Sequence, residues 1–125
     1  MRLNLDCMRD VLLVAEENLP LNGSLPMSDL LPLLPGYSKD EITYTCLKLN
    51  EANLLNIFIT PYPGGTFVND IREITYNGHQ FLENIRDPSL WEKIKQKANS
   101  VGSLSVDVIL AVAANVISNH VNSLF

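Results

Sequence analysis

The side chains best suited to chemistry in this 125-residue chain are two histidines, His79 and His120, and two cysteines, Cys7 and Cys46. Zinc-type sites need such ligands at short spacings such as C-x-x-C or H-x-x-x-H. None is paired that way here, so no metal site is expected. Both cysteines sit inside helical patterns and are expected to be reduced and partly buried. His79 is expected to pack or hydrogen-bond at the start of its helix. The carboxylates Glu16, Glu17, Asp40, Glu41 and Glu51 occupy positions that suit helix capping and solvation. Pro63-Gly64-Gly65 is glycine-rich, but no helix N-terminus follows it to hold a phosphate. The chain contains no nucleophile elbow, P-loop or dinucleotide fingerprint. It therefore reads as non-enzymatic, with no catalytic residue and no cofactor.

What remains is binding. The net charge of −5 argues against broad attraction to nucleic acid or anionic lipid, and 46% hydrophobic residues exclude a disordered chain. One local basic cluster, Arg86, Lys93, Lys95 and Lys97, is either a solvated helix face or a set of phosphate contacts. The segment 38–54 carries two lysines against three acids, so it is poorly suited to reading base edges. Asp40, Thr43, Tyr44, Leu47 and Glu51 share its outward face and are the candidate partner-binding residues. Tyrosine amid modest charge suits a protein contact surface.

These residues must be positioned by helices and a ribbon. A first helix is expected over 5–18, capped by Asp6 and stopped by Pro20. The stretch 19–36 is turn-rich, with one short helical run at SDLLPLL that Pro32 interrupts. Ser38 and Glu41 form a capping box for a helix to about residue 52, with Ile42, Thr45, Cys46, Leu49 and Ala52 inward. Two strands follow, 56–60 and 66–68, around a Pro-Gly tip, with a further extended piece at 71–75. Thr75 caps the next helix, which buries Phe81, Leu82 and Ile85. Asp87 with Pro88 starts another, with a Leu90, Trp91 and Ile94 stripe. Val101-Gly102-Ser103 is a linker, and Ser105 caps the last helix.

That order of elements is the order of a winged helix. LPGYSKDEITYTCLKLNEANLL, the ribbon and IREITYNGHQFLENIRDPSLWEKIK also resemble an uncharacterised family of small bacterial and phage proteins. That family shares an LPGYS-type turn, an LNEAGL-like helix end, a T-x-x-G-H-x-F-L-x-N-I-R-D segment and a tryptophan soon after. MRLNLDCMRDVLL fits too, so the resemblance spans nearly the whole chain. It implies a winged-helix-like fold, residence on prophages or mobile elements, and no catalytic residue. The chain departs at Asn53, where the pattern prefers glycine. A left-handed helix end is expected there, which asparagine tolerates.

The expectation is thus an α+β winged-helix domain over 1–86 with a helical extension over 87–125. In that extension Val106, Leu110, Ala113, Ile117 and Leu124 form a near-heptad stripe, while Val108 and Val112 lie on another side. A helix apolar on two sides needs two covers. One is expected to be helix 5–18, the other a second copy in a homodimer. Val106–Leu124 is interrupted by Asp107, Asn115, Asn119 and His120, which disfavours a membrane span. The N-terminus turns charged too soon for a signal peptide, so a cytoplasmic place is expected. The partner is DNA, for a regulator of the element, or a host protein blocked through an acidic surface.

Overall fold

The computed structural model describes residues 1–102 and 105–125. It is a mixed α+β chain: α1 (Leu5–Asn18), β1 (Leu25–Pro26), α2 (Met27–Leu33), α3 (Lys39–Glu51), β2 (Leu55–Tyr62), β3 (Gly65–Ile74), α4 (Tyr76–Ile85), α5 (Pro88–Val101) and α6 (Val106–Leu124). The three strands form one antiparallel sheet in the order β1-β3-β2.

Local chemistry sets most of the boundaries. The N-cap of α1 is Asn4, whose side chain accepts from the Cys7 amide; the expected cap, Asp6, lies in the first turn. Its carboxylate accepts from the Trp91 indole at 2.9 Å, and that long-range bond is what takes it away from capping. The Ser38–Glu41 capping box forms as expected. Glu41 also accepts from the Asn4 side-chain amide at 3.0 Å, so the starts of α1 and α3 are joined. Asn53 ends α3 at φ 62, the left-handed conformation.

In the sheet, two features differ from expectation. The return strand is one continuous run, Gly65–Ile74, rather than two pieces. It stays continuous because two register shifts leave Asn69 and Arg72 unmatched against β2 and keep Val68, Ile71 and Ile74 on the buried face. The two-residue β1 was not anticipated. It pairs Leu25 with Ile71 and Pro26 with Asp70 at the sheet's edge, where proline is tolerated.

One apolar cluster runs from Leu3 to Val116. α1 contributes Leu5, Cys7, Met8, Val11, Leu12 and Ala15 to it. α6 buries Ile109, Ala113 and Val116. Its main neighbours are α5 and α4, not the helix-5–18 surface suggested by the sequence. Trp91, Ile94 and Ala98 turn α5 towards the core and leave α6 to pack on the outer layer.

Thr75 holds the base of the ribbon. Its hydroxyl donates to the Asn53 carbonyl at 2.6 Å and accepts from the Gly78 amide at 2.9 Å. Gly78 is buried against the Leu54 carbonyl, and a Cβ there would land on that oxygen and on the Ile74 side chain. This explains a glycine in the first turn of a helix. Gly78→Ala should therefore destabilise the fold by about 1–3 kcal/mol, the usual cost of overpacking. A urea titration would read this as a lower midpoint at unchanged slope; an unchanged midpoint would refute the close approach.

Candidate functional site

The α3 face was the first candidate surface. Asp40 and Glu51 are exposed, but Thr43, Tyr44 and Leu47 are half-buried, and Tyr44 and Leu47 pack against the core. Lys48 pairs with Glu51 at 2.9 Å and lies over the Tyr44 ring. Tyr44, Lys48 and Glu51 line a cleft of about 710 Å³ whose far wall includes Asn99, Val106 and Asp107. The second half of α3 therefore faces its own C-terminal helices, which limits its access to a DNA groove.

The basic cluster does not come together as one patch. Arg86 donates to both Glu16 oxygens at 2.9 and 2.7 Å and to Glu83 at 2.8 Å. Lys95 bridges Asp6 at 3.0 Å and Glu92 at 2.9 Å. Both cations thus point to acids of their own chain. Lys97 donates to the Asn115 side-chain oxygen at 2.8 Å, and Lys93 is exposed. Of the four, Lys93 and Lys97 line a common hollow.

Of the stripe on α6, Ala113 has no exposed surface and cannot form part of a dimer contact, because it is packed inside its own chain. Val106, Leu110 and Ile117 are half-buried, and Leu124 is exposed. The stripe is divided because the face centred on Ile109 and Val116 turns inward, rotating the seam away from solvent.

Cys7 and Cys46 are free and buried. Burial pushes the Cys46 thiol up to about 12, and burial likewise raises Cys7. Such thiols are poor nucleophiles. His79 is exposed rather than packed, beside Glu16 at the rim of a surface hollow. Among the described residues no three His, Cys, Asp or Glu side chains converge as for a metal ion. No helix among them is long and apolar enough to cross a membrane.

The surface that sequence reasoning missed is the ribbon. Phe58 (49% exposed), Ile59 (41%), Tyr62 (54%) and Phe67 (47%) all show large apolar area. Partners in register share a face, so Phe58 opposite Asp70 and Thr60 opposite Phe67 lie on the side away from Val68, Ile71 and Ile74. Arg72 sits over the Phe58 ring at 4.9 Å and pairs with Asp70. The run NIFITPYPGGTF held the composition signal, but the two register shifts decide which residues face out, and no local pattern shows them.

A family model described as "Hypothetical protein (DUF2513)" matches residues 2–105. The chain belongs to that family. Within DUF2513 the matched stretch stops at the cap of α6. An uncharacterised protein of Haemophilus influenzae is 30% identical over 120 residues, covering 94% of this chain and 97% of its own length. Among solved structures, one concerned with regulation of DNA binding of Bordetella bronchiseptica BpsR by 6-hydroxynicotinic acid aligns at TM-score 0.46 and 15% identity. It covers 91% of this chain and 73% of that one.

The ion pairs predict an acid response. Hydrogen bonds from Arg86 hold the Glu16 carboxyl below its ordinary 4.5. A depressed carboxylate adds stability above its unfolded value and loses it as pH falls through the folded one. The melting temperature should therefore drop on acidification below about pH 4.5, and Glu16→Gln should drop less over that window. Thermal melts at pH 6 and pH 3 would test this; parallel losses in both proteins would remove Glu16 from the account.

Proposed function

We propose that this chain is a non-enzymatic winged-helix module of a phage or mobile element that binds a host protein in the cytoplasm through its ribbon. The order α1-β1-α2-α3-β2-β3, with a β1-β3-β2 sheet, supports the winged-helix reading. The observation that carries the binding mode is the exposed set Phe58, Tyr62 and Phe67 on one face of the ribbon, beside Arg72. Aromatic residues and arginine supply most binding energy at protein interfaces, and a contiguous exposed apolar patch marks such a site. The ribbon's charge, Arg72 against Asp70 and Glu73, and the net charge of −5 favour a basic partner.

A DNA-binding regulator is the second reading, and the winged-helix order itself favours it, since that order is widely used on DNA. Fold alone does not imply function. The ribbon lacks the unpaired cations that phosphate contacts require, and Arg86 and Lys95 would have to leave their acids to reach a backbone.

A photo-cross-linking amino acid placed at Phe58 or Phe67 should trap a protein adduct in host cells, and one at Asp40 should not. The triple change of Phe58, Tyr62 and Phe67 to alanine should abolish that capture without lowering the melting temperature. Fluorescence anisotropy with mixed duplex DNA at physiological salt should show no saturable binding. Tight binding to one duplex, with no ribbon adduct, would transfer the conclusion to the regulator.

A further inference from the structure

Between α5 and α6 lies a second cleft, of about 520 Å³. Lys93 and Lys97 line it from α5, and Asn119 and His120 from α6. Its apolar part comes from Val116, which is buried, and Leu90, which is half-buried. Among the described residues no carboxylate lines it. This contrasts with four of the seven other cations: Lys48 faces Glu51, Arg72 faces Asp70, Arg86 faces Glu16, and Lys95 faces Asp6. In the cleft the hydrogen bond of Lys97 goes to a neutral amide, that of Asn115. The nearby Asp87 carboxylate is already held by the Ser89 and Leu90 amides and the Ser89 hydroxyl at the start of α5.

Lys93 and Lys97 are one helical turn apart, so their stems leave the same face about 6 Å from each other. Two ammonium groups so placed can share one oxyanion, and lysine binds phosphate as a point charge. The Asn119 amide, which also donates to the Asn115 side-chain oxygen at 3.5 Å, and a His120 ring N–H add donors from the opposite wall. Polar heads at the mouth with an apolar part beside them is the usual composition of a small-ligand site. In a chain of net charge −5 the cleft is a local reversal of sign.

We propose that the α5–α6 cleft binds a small amphipathic oxyanion, a phosphate or carboxylate carried on an apolar body. Lys93 and Lys97 hold the oxyanion, Asn119 and His120 orient it, and Leu90 and Val116 cover the body. The site is separate from the ribbon and does not depend on what the ribbon binds.

The test is a ¹H–¹⁵N NMR titration of the full chain with inorganic phosphate and with phenyl phosphate. Saturable shifts should be confined to the segments around Lys93–Lys97 and Asn119–His120. Phenyl phosphate should bind about tenfold tighter, the effect of burying part of a ring. The double variant K93A/K97A should keep its melting temperature and lose at least about tenfold in affinity for both probes, whereas K39A, on α3, should lose none. Shifts spread over all lysines, phenyl phosphate no tighter than phosphate, or full affinity in K93A/K97A would each overturn the assignment.

Discussion

Cys7, Met8, Val11, Leu12 and Ala15 have no exposed surface, and the burial of this α1 face is the constraint on which the other elements depend. Full burial of a large aliphatic side chain contributes about 1.5–3 kcal/mol, so α1 must be covered on several sides. α3, α4, β3 and α2 do so. The flank of α1 is polar and fixes the rest in register. Arg9 donates to the carbonyls of Ile85 and Arg86 at 2.8 and 2.7 Å, capping the end of α4. Asp6 takes the Trp91 indole and Lys95, which seats α5. Asp10 accepts from the Tyr37 hydroxyl at 2.6 Å on the other side, and burial with that bond raises the tyrosine's pKa.

This wiring also shapes the electrostatics of the surface. A chain with nine basic residues has several ways to offer a positive face. Here Arg9 is used as a helix cap, while Arg86 and Lys95 are used as ties to α1. The acids on α1 thus cancel cations that appear clustered when read along the chain. The cancellation stops at α6, which has one acid, Asp107, at its start, and this is why the cleft against α5 keeps its lysines unopposed.

What could be read from the sequence was local. The cap residues Ser38, Thr75, Asp87 and Ser105, and the left-handed Asn53, act over three or four residues, and all lie where the pattern puts them. What could not be read was non-local. Asp6 resembles a cap until Trp91, far along the chain, is seen to claim it. The period of α6 is visible, but which stripe turns inward depends on where α5 lies. The aromatic face of the ribbon needs its register, and β1 is too short to carry any period at all. The candidate site was therefore less legible than the fold, because contact surfaces are what remains once packing has chosen its side.

The Thr75 hydroxyl at the root of the ribbon has a consequence for recognition. It fastens the end of α3 and the start of α4 to the turn from which β2 leaves. On the return side, β3 is pinned by β1 and by the buried Ile71 and Ile74. The ribbon is thus a lever clamped at one end, with its aromatic residues on the free arm. A partner of the kind proposed would find the backbone of this arm already ordered and would need only to select rotamers of Phe58, Tyr62 and Phe67. Preorganisation of this kind reduces the entropy lost on association, so a small contact area can still support a durable complex.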